Sequence, residues 1–447
     1  MKSVLMTAVV GSFLLSLPLS VEARQWSLKD CIEYALQNNI SLQKTRLQKL
    51  SAMEDVKQSQ AALLPSLSLS TSQNGSYNPW PEQGSYIVAG SKVQTSVDKV
   101  YYNGSYGLNA NWTVWNGNQN HNQVKLNRVT EQQAALDSAV SANSIQEQIT
   151  QLYVQILYSA EAVKVNQESL ATSQKNEERG KTMLNVGKMS KADLAQLTAQ
   201  RAQDEFNIVQ AESNLKNYKR QLKQLLQITD SEEFDVEIPS MTDELALQDI
   251  PALNTVYAAA LDTRPEIKNA QLGITGSDLS IKIARGQRMP TIGISAGLST
   301  NTTSMNSNAW GTQLKNNLNI GGGFTVSIPL FDQRLSKTAI HKAEIQKQNY
   351  MLDLKDKQTT LYSTIENYWL QANTNQSQFK AAKVSTESAK TSYELLSEQF
   401  RLGLKNIVEL MTGKDNLLTA QQNELQSKYL AILNINMLKF YQTGHIE

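Results

Sequence analysis

Residues 293–297 read Gly-Ile-Ser-Ala-Gly, a literal G-x-S-x-G. Such a serine is a nucleophile only where a strand ends on it and a helix begins. Here the pentapeptide lies inside an alternating run, Ile292, Ile294, Ala296, Leu298, with no helix behind it. The three histidines, His121, His341 and His445, have no triad-like setting and form no metal cluster. Gly187-Lys188-Met189-Ser190 lacks the adjacent Lys-Ser/Thr pair and the earlier glycine of a phosphate-binding loop, and Gly321-Gly322-Gly323 lacks the third-glycine spacing of a dinucleotide turn. No enzyme, cofactor or metal site is expected.

The net charge of +1 gives no reason to expect a nucleic-acid partner. Small and amide-bearing residues fill long helical patterns, which points to an extended shape rather than one large core. The eight carboxylates between Thr229 and Pro251, with no Lys or Arg, mark 229–250 as an acidic linker. At the N-terminus, Lys2, the apolar run Val4–Leu17 and Val21-Glu22-Ala23 make residues 1–23 a secretory signal peptide. No later apolar run approaches the ~20 residues that a spanning helix needs. Cys31 is the only cysteine, and its preceding Ser-Leu-Lys-Asp is not the small apolar triplet of a lipid-modified one. It is expected to be a free, half-buried helix residue.

The chain repeats itself. Leu64-Pro65-Ser66-Leu67 matches Met289-Pro290-Thr291-Ile292 at an offset of 225, while Trp115-Asn116 matches Phe331-Asp332, Gly187 matches Gly403 and Asp193 matches Glu409, all at 216. The loop between the first two strands is therefore the longer one. Each half, 24–228 and 251–447, reads helix, strand, strand, helix, helix. The opening helices are expected over Ser27–Ala62, with Ser27 and Asp30 as a capping box, and over Pro251–Gly286. A long helix is expected from Gln119 to Asn185, with Ile145, Ile149, Leu152, Ile156, Val163 and Leu170 as its seam. The same seam recurs 216 positions on as Leu361, Ile365, Tyr368, Ala372, Phe379 and Thr386. Leu194, Leu197, Ile208, Leu215, Tyr218, Leu222 and Leu225 space the second helix as heptads, with Arg201, Asp204 and Ala211 in the gaps.

The strand segments alternate apolar residues with Gly, Ser, Asn and Thr over about ten residues, the pattern of a transmembrane β-barrel. A sheet on a soluble core alternates in the same way, but little sequence remains to cover one. Four strands cannot close in a membrane, because open edges leave backbone groups unpaired in hydrocarbon. Copies must pool their strands, and two, three or four copies all remain open.

The opening Trp26-Ser-Leu-Lys-Asp-Cys-Ile-Glu-Tyr-Ala-Leu-Gln-Asn-Asn39, the twin Pro-led strands, the Ile-Pro-Leu-Phe-Asp332 junction and the breaks Asn185-Val-Gly-Lys-Met189 and Arg401-Leu-Gly-Leu-Lys405 resemble the TolC family of bacterial outer-membrane efflux proteins. The resemblance covers the mature chain. It implies an α+β membrane protein in which four transmembrane strands per chain contribute to a homotrimeric 12-strand barrel. That barrel would continue into an antiparallel coiled-coil helical tunnel in the periplasm. It implies a passive exit duct of a tripartite efflux or type I secretion system, fed by an inner-membrane transporter through a periplasmic adaptor, for drugs, toxic small molecules or a polypeptide. No cofactor is implied.

By the same resemblance, Val186, Gly187, Leu402 and Gly403 form adaptor-docking tips. Glu409 sits at an acidic constriction, with Thr412 where the family has a second acid. Asp193 and Lys405, with Phe400 in place of a frequent tyrosine, hold the tunnel end shut. The bland alternatives are a plain helix turn for the glycines and a solvated glutamate for Glu409. Trp115, Asn116, Pro329, Phe331 and Asp332 mark the barrel-to-helix junctions; Thr113 stands where Pro329 does and Gly117 where Gln333 does, so the two junctions are expected to bend by different means. The competing reading is a periplasmic adaptor or structural coiled coil, although adaptors carry one hairpin with lipoyl-like modules rather than two tandem units.

Overall fold

The computed structural model describes residues 25–80, 84–88, 91–95, 98–229, 234–239 and 242–446. The expected signal peptide, and Asp230, Glu232 and Glu233 of the acidic stretch, lie outside the described residues. The first half runs β1 (Gln25–Trp26), α1 (Leu28–Asn38), α2 (Ile40–Ala61), β2 (Ser66–Tyr77), β3 (Gly84–Val88), β4 (Ser91–Thr95), β5 (Val100–Asn116), α3 (Gln119–Asn185) and α4 (Lys191–Leu225). Then follow β6 (Asp235–Val236) and α5 (Asp243–Ala246). The second half runs α6 (Leu253–Thr263), α7 (Pro265–Gly286), β7 (Thr291–Thr303), α8 (Trp310–Asn316), β8 (Asn319–Ser327), α9 (Leu335–Arg401) and α10 (Ile407–Thr443). None of the described helices is long and apolar enough to cross a membrane.

The expected long helix from Gln119 to Asn185 is α3 to the residue. Each single opening helix, by contrast, is two. The first breaks at Asn39 and the second at Arg264, 225 positions on, each with extended backbone and an N–H donated four residues back. Pro265 explains the second break, since a residue before proline avoids helical ψ. Asn39 has no such proline; its carboxamide instead donates to the Leu225 carbonyl at 3.1 Å. The Ser27–Asp30 capping box is present.

The described chain forms two compact units, each drawing on both halves of the sequence. The repeat boundaries are therefore not unit boundaries. One unit holds residues up to Ile40, Ile145–Ile250 and Trp369–Met437. Its core buries Cys31, Ile149, Ile156, Leu157, Leu222 and Phe379. Cys31 is wholly buried rather than half-buried, and burial, with Asp30 beside it, pushes its thiol up to about 12. The stretch read as a linker is built into this unit. β6 pairs in parallel with β1, the Tyr153 hydroxyl donates to the Glu237 carbonyl at 2.7 Å, and α5 packs Ala246 against Phe379, Ala431 and Ile432.

The other unit holds Ser41–Ser144, Pro251–Tyr368 and the chain from Leu438. Its sheet is antiparallel, in the order β2-β5-β7-β8, with β5–β7 joining the two halves of the sequence. The strands are longer than expected in β5 and β7, and register shifts by a bulge between Thr113 and Trp115. Leu69, Leu108 and Leu298 stand abreast on one face; Ser70, Gly107 and Ser299 stand abreast on the other. The longer first loop carries the β3–β4 hairpin and the second carries α8. Beside the sheet, α7 lies close to α3 and α9. A Cβ added at Gly276 would touch Leu126 and Val129, and one at Gly273 would stand 3.0 Å from Tyr350.

Candidate functional site

Two features recur at the 216 offset and carry the candidate site. The first is the helix reversal. Gly187 and Gly403 have φ of +75° and +76°. At the first, the Lys188 N–H reaches the Met183 carbonyl at 2.8 Å and the Gly187 N–H reaches Leu184 at 3.0 Å. At the second, Leu404 reaches Gln399 at 2.9 Å and Gly403 reaches Phe400 at 3.0 Å. This is the six-to-one and five-to-two pattern that ends a helix on a left-handed residue, which glycine adopts without steric cost.

Three residues past each glycine a capping box opens the next helix. The Asp193 carboxylate accepts from Ser190 Oγ at 2.8 Å and Ser190 N at 3.4 Å, and the Asp193 N–H donates to Ser190 Oγ at 3.0 Å. The Glu409 carboxylate accepts from Asn406 N at 3.2 Å, and the Glu409 N–H donates to Asn406 Oδ1 at 2.9 Å. Val186, Leu402 and Leu404 are exposed at the two tips.

The expected Lys405–Asp193 pair is not among the ion pairs of the described residues. Asp193 closes locally on Ser190, and Lys405 donates to Glu409 at 2.5 Å, one turn along its own helix. Lys405 and the Asn406 N–H hold the Glu409 carboxyl below the usual carboxylate range. Glu409 and Thr412 line one groove of about 520 Å³ between α9 and α10, with Ser388, Leu396 and Gly413. Phe400 is buried with Leu197, Ile407 and Leu410, and Met183, Met189, Tyr393 and Met411 pack around them.

Sequence reasoning missed the polar layer beyond this cluster. Asp204 of α4 accepts from Lys414 of α10 and from Ser173 of α3, all three buried. Glu177 of α3 pairs with Arg201 of α4 at 2.9 Å. The signal was present: Arg201 and Asp204 interrupt an otherwise apolar heptad seam.

The second recurring feature is the strand-to-helix junction. Gly117 and Asn118 have φ of 64° and 61°; Gln333 and Arg334, 216 positions on, have 52° and 70°. The expectation of different bends fails at Gly117 and Gln333, because both junctions turn on two successive left-handed residues, and holds only at Thr113 and Pro329. The cap repeats as well. The Asn120 N–H donates to Asn116 Oδ1 at 3.2 Å, and the Ser336 N–H donates to Asp332 Oδ2 at 2.9 Å. The difference lies before the turn. The bulge keeps Trp115 and Asn116 paired with β7, whereas β8 ends at Ser327, two residues before Pro329, which cannot donate to a ladder. Trp115 is half-buried, and Phe331 is exposed.

A family model described as outer membrane efflux protein matches residues 31–226 and 256–441, one match on each repeat. The chain belongs to that family. It is 20% identical over 361 residues to the outer membrane efflux protein BepC of Brucella suis, spanning 77% of this chain and 73% of that one. It is 21% identical to toxin and drug export protein A of Aggregatibacter actinomycetemcomitans, spanning 66% of this chain and 62% of that one. For the outer membrane protein TolC of Escherichia coli the values are 22% identity, 56% and 51%. The fold matches solved structures of CusC (TM-score 0.78, 18% identity, 93% of this chain and 91% of that one) and of the Campylobacter jejuni channel CmeC (TM-score 0.74, 16% identity, 99% and 94%). This efflux protein is therefore an outer-membrane channel component, and the periplasmic-adaptor reading is set aside: the family match runs through both repeats.

Proposed function

We propose that three copies of this efflux protein form a 12-strand barrel that continues into a helical tunnel, and that the trimer is the passive exit duct of a tripartite efflux or type I secretion system. The observation that carries this is the sheet. Among the described residues β2 pairs only with β5 and β8 only with β7, so both edges stand open beside an exposed apolar face. Open edges are not tolerated in hydrocarbon, and joining β8 of one copy to β2 of the next removes them all.

In this reading the tips at Val186-Gly187 and Leu402-Gly403 dock a periplasmic adaptor, which links the duct to an inner-membrane transporter. Glu409 and Thr412 line the constriction. The closed end rests on the cluster around Phe400 and on the Lys405–Glu409 bond rather than on a Lys405–Asp193 pair within one chain. The relatives, a toxin and drug export protein among them, support a cargo of toxic small molecules or a polypeptide.

The test is the mass of the protein purified from outer membranes in detergent, by light scattering, together with its conductance in planar bilayers. A trimer that forms discrete channels is expected. A monomer, or a trimer that conducts nothing under any condition that opens the tips, overturns the proposal. Leu404→Asp should abolish export while leaving outer-membrane levels and conductance intact.

A further inference from the structure

The apolar face of the sheet does not stay apolar to its outer end. Moving along β5 from the helix junction, its side chains on that face run Trp115, Trp112, Ala110, Leu108 and Tyr106. At Tyr106 the neighbours abreast become Thr71 and Thr300, and one step further they are Gln73 and Thr302. From Trp115 to Tyr106 is about 30 Å of strand at 3.3 Å per residue. Tilted by about 40°, that is a height of about 23 Å, close to the ~25 Å apolar band of outer-membrane barrels, which aromatic residues flank on both sides.

Helix α8 lies on this face where the polar residues begin. Trp310 Nε1 donates to the Tyr106 hydroxyl at 3.3 Å, the two rings meeting edge to face with centroids 6.0 Å apart. Gln73 Nε2 donates to the same hydroxyl at 2.7 Å. The Thr300 hydroxyl donates to the Leu314 carbonyl at 2.8 Å. The buried Gln313 accepts from the Thr303 N–H at 2.8 Å and donates to the Asn306 and Asn308 carbonyls. Seven residues are too few for a helix to persist alone; polar bonds to the sheet and its loop hold this one. It turns Trp310 outward, 59% exposed, with the indole N–H satisfied and the rest of the ring largely uncovered. A ring that is apolar on one side and hydrogen-bonded on the other suits the membrane–water boundary.

We propose that α8 is an interfacial helix. It lies outside the barrel wall at the boundary between acyl chains and headgroups of the outer leaflet, where Trp310 and Tyr106 form the outer aromatic girdle and set the depth of the protein. This rests on the reading, made above, that the apolar face meets lipid. The partner is the lipid surface, and the rival position is inside the lumen as a plug.

Spin labels on single introduced cysteines separate the two, because Cys31 is the only native cysteine and is fully buried. Gly311→Cys reports α8, since an added Cβ there meets nothing within 4 Å. Leu108→Cys reports the outer part of the apolar band, two residues inside Tyr106, and Ser299→Cys the opposite face. The full-length protein is reconstituted in lipid vesicles, and the ratio of access to oxygen over access to a water-soluble nickel chelate is measured. The label at 311 is expected to give a ratio between those at 108 and 299. A value equal to either reference overturns the inference: equal to 299, α8 is in water; equal to 108, it is submerged. If the label at 108 is itself in water, the barrel reading fails instead. Thr312→Cys, also exposed, repeats the measurement should Gly311→Cys not assemble.

Discussion

Lys414 and Asp204 form an ion pair between α10 and α4 that water barely reaches, their side chains 5% and 1% exposed. The 216 offset puts Ala420 opposite Asp204 and Thr198 opposite Lys414, so the pair is not duplicated. Removing one member of a buried pair leaves an uncompensated charge, at a cost of about 3–5 kcal/mol, whereas apolar replacement of both is often neutral. Asp204→Ala should lower the thermal midpoint sharply in detergent, and Asp204→Leu with Lys414→Met should recover most of it. Equal losses in the single and double variants would mean that the charges do not depend on each other.

Much of this architecture was legible because it repeats. The long helices, both reversals and the order of elements in each half follow from alternation, heptads and glycines that occur twice. What escaped is made by contacts distant in sequence. Asn39 breaks its helix by reaching Leu225, and Asp204 finds Lys414 across 210 positions. Asp193 and Lys405 escaped in the opposite sense, because each closes on a residue three or four positions away rather than on the other. The junctions misled for a third reason. Gln333 and Arg334 do not look like left-handed residues, yet they take the same turn as Gly117 and Asn118.

That turn makes an asymmetric prediction. A left-handed conformation costs an ordinary residue about 1–2 kcal/mol. Gln333→Gly should therefore leave stability unchanged or raise it by about 1 kcal/mol. Gly117→Ala should lower it by more than that, since its Cβ would lie 2.5 Å from the Gly286 carbonyl oxygen and 2.6 Å from Met289 Cβ. Urea midpoints of the two variants check it; a Gly117→Ala protein as stable as the parent would refute the steric argument.

Each hairpin also contains one glycine facing one leucine, with the roles exchanged. A Cβ at Gly180 would lie 2.6 Å from Leu197 Cδ1, and one at Gly413 would lie 2.6 Å from Leu396 Cδ1. Gly180 corresponds to Leu396 and Leu197 to Gly413, so the knob sits on α4 in one hairpin and on α9 in the other. Gly180→Leu alone should overpack, at about 1–3 kcal/mol. Gly180→Leu with Leu197→Gly should regain most of that, because it copies the other hairpin. The double variant unfolding no later than the single one in urea would count against the exchange.

Acid should loosen α5. The Asp243 carboxylate accepts from Lys383 at 2.6 Å and Lys428 at 2.9 Å, and these bonds hold its carboxyl below the usual range. A depressed folded pKa stabilises above the free carboxylate value of about 3.9, and the contribution is lost as pH falls through the folded value. Exchange protection at Leu245 and Leu247, whose N–H groups donate to the Thr242 and Asp243 carbonyls, should, once corrected for intrinsic rates, hold from pH 7 to about 5 and fall below about 4. Asp243→Asn should be poorly protected already at pH 7, with no further loss on acidification.

The Lys405–Glu409 bond bears on selectivity if the trimer conducts as proposed. A lone acid repeated about a threefold axis concentrates negative potential and favours cations. Here a lysine 2.5 Å away offsets that charge, and Thr412 adds none. Lys405→Met should unmask Glu409 and raise cation selectivity, seen as a larger reversal potential under a salt gradient. Glu409→Gln should shift it the other way. Because exposed charges are screened within about 10 Å at 0.1 M salt, both shifts should shrink as ionic strength rises. Lys405→Met leaving the reversal potential unchanged at low salt, in channels that still conduct, would place Glu409 away from the ion path and leave it with the helix cap as its whole role.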